Sequence, residues 1–340
     1  WKLHGERVVF TQDPALPLVD APGLQRSPGL TDLQARELAL VLLDAAAPAE
    51  ARLTAAQALA HARPDELVAL ADRLLLDPSA PGGIRELVLG AVARTAEPGS
   101  AVPTSVRALA YDPSAPAGEW SAAAQALLRS SVPEGRAIVE SRLASTDAGQ
   151  RAAAIQALSG TRSRELLPLL TETVMRPDLA GQTDPLIDAI AQTKDRKWSA
   201  AQLTGRPDTP RSGDLGTAWA AKSQQMGRVW IELDYEHAVV PAEVRVRETL
   251  APGAVVRIEV ADRGTAWETA WEGAASPGGA VPRWFAPVLR SGVARASRVR
   301  LVLDTDAVPG WNEIDAVELV GSDGSRQWAS AARASTSYAD

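Results

Sequence analysis

The side chains best equipped for chemistry in this sequence are aromatic and carboxylate, and they crowd its second half. Seven of the ten tryptophans lie between Trp219 and Trp328. An indole offers an apolar face that can stack on a sugar ring, and a neighbouring guanidinium, amide or carboxylate can hydrogen-bond the hydroxyls. Trp267, Trp271, Arg283, Trp284, Trp311 and Asn312 stand in turn-rich segments and, with Glu313, are the candidate ligand residues. Each tryptophan also has a competing role, because a small module needs such rings for its core. Glu313 and Asp315 have two open roles as well: orienting a ligand, or clamping the preceding Pro-Gly turn by buried hydrogen bonds. An exposed, unpaired Glu313 would rule out the clamp.

Enzymatic chemistry finds little to work with, and no catalytic residue is assigned. The three histidines, His4, His61 and His237, are isolated, and there is no cysteine to serve as nucleophile, zinc ligand or disulfide partner. No zinc-protease helix, nucleophile elbow, P-loop or dinucleotide glycine fingerprint occurs. Two carboxylates can hydrolyse a glycoside, but no spacing marks a pair. The formal charge of -7 argues against nucleic acid as a partner, since phosphate neutralisation needs a basic face. The short basic run Lys194 to Lys197 reads as a solvated linker.

What must position these residues is a chain of 340 residues, long enough for two domains. Its 46% hydrophobic and 23% charged content is that of a folded protein, and no apolar run approaches the roughly 18 residues of a membrane span. From Leu30 to Thr193 the chain is rich in Ala and Leu with helical apolar spacing, broken by Pro, Gly or Asp. Arg52-Leu-Thr-Ala-Ala-Gln-Ala-Leu59, Arg85-Glu-Leu-Val-Leu-Gly-Ala-Val92, Trp120-Ser-Ala-Ala-Ala-Gln-Ala-Leu127 and Arg151-Ala-Ala-Ala-Ile-Gln-Ala-Leu158 are one motif. Ala58, Ala91, Ala126, Ala157 and Ala189 mark its register at spacings of 33, 35, 31 and 32 residues. A second helix follows each, which predicts stacked helix pairs. The pattern resembles a HEAT-type α-solenoid. That resemblance implies an extended ridge for protein docking, with Trp120 either an exposed anchor or inter-repeat packing.

After residue 194 the period changes from helical to two. Val229 to Tyr235, Ala242 to Glu248, Ala254 to Val260, Arg298 to Leu303 and Asp315 to Val320 alternate apolar and polar residues, as strands with one buried face do. Several such strands separated by Pro and Gly turns predict an antiparallel β-sandwich. Ser212-Gly-Asp-Leu-Gly-Thr-Ala-Trp219 followed by Trp230-Ile-Glu-Leu233 resembles the opening of discoidin or coagulation-factor 5/8 C-type domains. Two longer stretches, Pro241 to Glu259 and Val308-Pro-Gly-Trp-Asn-Glu-Ile-Asp-Ala-Val-Glu-Leu319, are similar to galactose-binding-like domains. The resemblance implies a jelly roll that binds glycan, lipid headgroup or protein through loops, with Trp219 and Trp230 in its core. It also implies a structural calcium ion on Asp214, although Ala316 stands where a further acidic ligand is expected.

The expected organisation is multidomain α + β. It comprises an extended N-terminal arm over 1–29, a HEAT-like α-solenoid over 30–194 and a linker over 195–210. A galactose-binding-like β-sandwich over 211–330 and a tail over 331–340 complete it. The expected function is a non-enzymatic scaffold docking protein partners, such as subunits of a membrane-associated assembly. The alternative is a carbohydrate-binding adhesion module on a helical stalk. Because the sequence opens on Trp1, removal of a signal or anchor and an extracytoplasmic location, in periplasm or cell envelope, are expected.

Overall fold

The computed structural model describes residues 30–340 together with a short antiparallel pair, β1 (Lys2–His4) and β2 (Arg7–Val9). The expected arm over 1–29 otherwise lies outside the described residues. Two compact units divide the chain, Trp1–Ala157 and Leu158–Asp340. The protein is therefore multidomain, with an N-terminal helical region and a C-terminal antiparallel β domain.

The helical region runs α1 (Asp32–Leu43), α2 (Ala49–Ala62), α3 (Pro64–Ala69), α4 (Ala71–Leu76), α5 (Gly82–Thr95), α6 (Thr104–Tyr111), α7 (Ala117–Ser130), α8 (Val132–Leu143) and α9 (Ala148–Ser159). Three of its junctions are built alike. Asp44, Asp77 and Asp112 each end a helix in extended backbone. Their carboxylates accept from the backbone N–H two residues on, at Ala46 (2.9 Å), Ser79 (2.8 Å) and Ser114 (2.8 Å). Such Asx turns compete with helical hydrogen bonding and halt the helix. A proline then fixes the backbone just ahead of the next helix, at Pro48, Pro81 and Pro116.

In three of the four repeated motifs the first residue closes the helix before it. Arg52 donates to the Leu42 carbonyl (3.0 Å), Arg85 to Leu75 (2.6 Å) and Trp120 to Ala110 (2.8 Å), always ten residues upstream. These carbonyls lack intrahelical partners, so each donor satisfies an otherwise orphaned group. Trp120 is packing rather than an exposed anchor, being 1% exposed. Of the small register positions, Ala91, Ala126 and Ala157 are fully buried, Ala189 nearly so and Ala58 partly, which permits close helix approach.

In the second unit α10 (Leu167–Val174) and α11 (Asp184–Lys194) precede nine strands. These are β3 (Arg228–Val239), β4 (Pro241–Leu250), β5 (Val255–Ala261), β6 (Glu268–Glu272) and β7 (Arg283–Phe285), then β8 (Ala296–Asp304), β9 (Glu313–Gly321), β10 (Arg326–Trp328) and β11 (Ala331–Ala334). They form two antiparallel sheets, ordered β10-β9-β4-β7 and β11-β3-β8-β5-β6. One apolar core fills the space between them. Ile231 and Leu233 meet Val246, Val317 and Leu319 there, and the Tyr235 hydroxyl donates across to the Val317 carbonyl at 3.2 Å.

Residues 195–210 are anchored by buried side chains, although Asp195, Arg196, Gly205 and Arg206 are exposed: Gln202, Leu203, Asp208 and Thr209 are wholly buried, and Leu203 belongs to the β core. The Gln202 amide donates to the carbonyls of Ala191 and Arg196, fastening the end of α11. Lys194 is likewise no surface cation, for its Nζ lies 2.6 Å from the buried Asp208 carboxylate. At the other end, β11 pairs with β3, so residues expected as a tail complete a sheet.

Candidate functional site

Strict alternation decides which side chains leave the core. In β4, Val244 and Val246 point inward and Arg245 and Arg247 outward; in β9, Val317 and Leu319 point inward and Ala316 and Glu318 outward. Register then lines up two rows across the outer surface of the four-stranded sheet. Trp328 stands opposite Glu318, which stands opposite Arg245; Ala316 faces Arg247, which faces Trp284.

Trp284 and Trp328 rise from the two edge strands and lean over the middle of the sheet, their ring centroids 6.2 Å apart and their planes at 41°. Ala316, with only a methyl group, is completely buried. The Arg245 guanidinium lies 4.9 Å from the Trp284 ring centroid and that of Arg247 lies 5.5 Å from it, both in cation–π range. Glu318 is buried and accepts from Arg245 (2.8 Å) and doubly from Arg326 (2.7 and 2.8 Å). Two partly covered indoles thus flank a lattice of donors and acceptors.

That lattice continues inward. Arg247 Nε is 3.2 Å from Asp315 Oδ2, Asp315 Oδ1 accepts from the Asp208 backbone N–H at 3.2 Å, and Asp208 meets Lys194. Burial pushes the Asp208 carboxyl up to about 7, against the pull of Lys194 and with a push from Asp315. Asp315 is raised too, chiefly by burial.

The candidates named from sequence scatter over the unit. Trp284 belongs to the face just described. Arg283, its neighbour in β7, turns to Glu248 (2.7 Å) and the Gly278 carbonyl (2.9 Å), while Glu248 also accepts from the Gly253 N–H (2.7 Å). Trp271 packs edge-on against Phe285 at 5.2 Å. Trp267 lies on the other sheet, 4.5 and 4.2 Å from the guanidinium carbons of Arg298 and Arg300. Trp311 stacks edge-on against Tyr338, and Asn312 donates to the carbonyls of Ala251 and Val308. Trp219 is core, with its indole N–H donating to Thr336 and Ser337. Trp230 is not: Val229 and Ile231 take the inward positions of β3, so its ring faces outward near Arg300. Sequence reasoning missed Trp328, Arg245, Arg247 and Glu318, although each occupies a polar position of an alternating strand.

Glu313 is 1% exposed, so the condition that would have ruled out a clamp is not met. Its Oε2 accepts weakly from the Leu215 N–H at 3.5 Å, and its other oxygen is buried without a partner. Burial, followed by a hydrogen bond and repulsion from Asp214, raises its carboxyl to about 9. Among the described residues no group of three or more His, Asp or Glu side chains converges. Asp214, in the loop before Trp219, and Glu313, at the start of β9, are nevertheless neighbours, and the orphaned oxygen of Glu313 would suit a hard cation. Asp214 and Glu313 are the side chains that would hold a calcium ion, and it would neutralise the pair and fasten the loop.

No family model matches the chain, and no curated protein matches it. Among solved structures it is similar to chitosan-binding module 1 derived from a chitosanase/glucanase of Paenibacillus sp. IK-5. Identity is 17%, over 37% of this chain and 86% of that one, with a TM-score of 0.28. At that score the likeness bears no weight in the reading of the site.

Proposed function

We propose that this protein is a non-enzymatic saccharide-binding module joined to a helical interaction unit, with the outer surface of the four-stranded sheet as the binding face. The observation that carries the reading is the Trp284–Trp328 pair standing over Arg245, Arg247 and Glu318. Indoles supply stacking surface, and the partly exposed Arg245 and Arg326 guanidiniums, held by the buried Glu318, offer donors to hydroxyls at its margin. Because each guanidinium of this face already has a carboxylate beside it, Arg245 and Arg326 sharing Glu318 and Arg247 meeting Asp315, the proposed ligand is a neutral glycan. A jelly-roll fold of the discoidin type, a structural calcium ion on Asp214 and Glu313, and a location outside the cytoplasm are parts of the same proposal. Affinity electrophoresis against a panel of soluble neutral polysaccharides tests it. Retardation that is lost in Trp284→Ala and Trp328→Ala is the expected result; equal mobility of wild type in all gels overturns it.

A second reading, protein docking through a HEAT-type solenoid, has its own support. Leu33 and Leu40 on α1 are 67% and 70% exposed, with Val41 beside them, and the three like-built junctions fit a stacked repeat. Pull-down of membrane-complex subunits by the wild type but not by Leu33→Ser/Leu40→Ser would favour it.

A further inference from the structure

The helical unit contains a pocket of about 350 Å³ between the end of α6 and the face of α8. The cation among its lining residues is Arg142, which is 8% exposed and lies over the buried Trp120 indole, its guanidinium carbon 4.1 Å from the ring centroid. Two of the other three motif heads are ion-paired. Arg52 pairs with Asp77 at 2.7 Å and Arg85 with Glu119 at 2.8 Å. In the third motif the head residue is Trp120, which keeps the hydrogen bond to the preceding helix but brings no charge. The cation comes instead from Arg142, and among the described residues no carboxylate lies within ion-pair distance of it. One of its terminal nitrogens donates to the Asp112 and Pro113 carbonyls at 2.9 and 3.4 Å, leaving Nε and the other terminal nitrogen without a partner among the described residues.

The nearby acids are otherwise occupied. Glu134, on the pocket wall, accepts from Arg107 (2.7 Å) and the Tyr111 hydroxyl (3.1 Å). Asp112 accepts twice from Ser114, and Asp147 accepts from the Gln150 N–H. Burial lowers the Arg142 pKa despite the attraction of Asp112 and Asp147, as expected of a desolvated guanidinium that lacks a direct counter-ion. We propose that this pocket is a carboxylate-binding site in which Arg142, held by Trp120 and the end of α6, offers its free N–H groups to a planar anion. The site is independent of the saccharide face, since every residue it uses belongs to the first unit.

The test uses calorimetry on the full chain with succinate, and with an N-acetylated tetrapeptide carrying either a free C-terminal carboxylate or an amide. Saturable millimolar binding of succinate or of the free-acid peptide is expected, with the amide at least about tenfold weaker. Preference for succinate identifies a small carboxylic acid as ligand; preference for the peptide identifies a chain terminus. Ala137→Trp, at an exposed position on the pocket wall, should weaken binding at least about tenfold without altering the melting temperature. Arg142→Lys should do so because it loses the planar fork. Absence of saturable binding by any carboxylate probe, or binding that Ala137→Trp leaves unchanged, overturns the proposal. Neither result touches the saccharide reading, whose variants lie in the other unit.

Discussion

Trp284 and Trp328 are separated by two strands in the sheet and yet share one platform, because long aromatic side chains on edge strands can lean over a small residue at the centre. If saccharide stacking is their role, Trp328→Phe retains most of the affinity and Trp328→Ala loses about 1–2 kcal/mol, roughly tenfold, in calorimetry with the preferred oligosaccharide. Behind the platform, Asp208 adds a pH dependence whose sign is set by its environment. Unfolded, an aspartate releases its proton near ~3.9; in the folded chain burial holds it to about 7. Between those values the folded state carries the extra proton, so the contribution of Asp208 to stability is complete at the acidic end. It is lost as pH rises through about 7. Melting curves across this range should show wild type losing stability relative to Asp208→Asn as pH rises. A difference that stays constant with pH would contradict the assignment.

Helices and strands meet in this protein through a few close approaches that the side-chain pattern does not advertise. Gly135 of α8 lies so near α7 that a methyl group there would come within 2.4 Å of the Leu128 backbone nitrogen. Gly135→Ala should therefore push the two helices apart and cost about 1–3 kcal/mol, read as a lower urea midpoint at unchanged slope. Gly253 is constrained in a different way. Its φ of 104° lies outside the range of ordinary residues, and a methyl group would fall 1.9 Å from the Ser276 carbonyl. Its N–H is the one Glu248 accepts, so the Arg283–Glu248 pair organises a turn.

At the scale of the whole chain, the composition change near residue 194 marks where helical periodicity ends but not where packing ends. Leu203, Asp208 and Thr209 are buried in the β unit, and α11 is tied to it by Lys194, by Gln202 and by the exposed Arg211–Asp184 pair at 2.8 Å. A fragment beginning at residue 158 should melt cooperatively on its own. One beginning at residue 211 lacks the Asp208 and Leu203 contacts and should melt at a distinctly lower temperature or fail to fold, as circular dichroism would show. Equal melting of the two fragments would make residues 195–210 a true linker. Among the described residues no helix is long and apolar enough to cross a membrane.

Much of the architecture is written in local pattern. Helical spacing from Leu30, the Asp-Pro-Ser-Ala-Pro junctions at 77–81 and 112–116, and the period-two runs from Val229 onward each act over a few residues, where propensity and turn chemistry suffice. The same alternation already places Trp230, Arg245, Arg247 and Glu318 on outward faces. Assembly of the candidate face is another matter. Trp284 and Trp328 come together only through pairing of β7 with β4, β4 with β9 and β9 with β10. Strand order and register depend on how distant apolar faces close one core, which no local window contains. For the same reason the burial of Lys194 against Asp208, the orphaned oxygen of Glu313 and the unpaired Arg142 on Trp120 emerge only from the packed chain. Each is a polar group whose meaning depends on what long-range contacts exclude from around it.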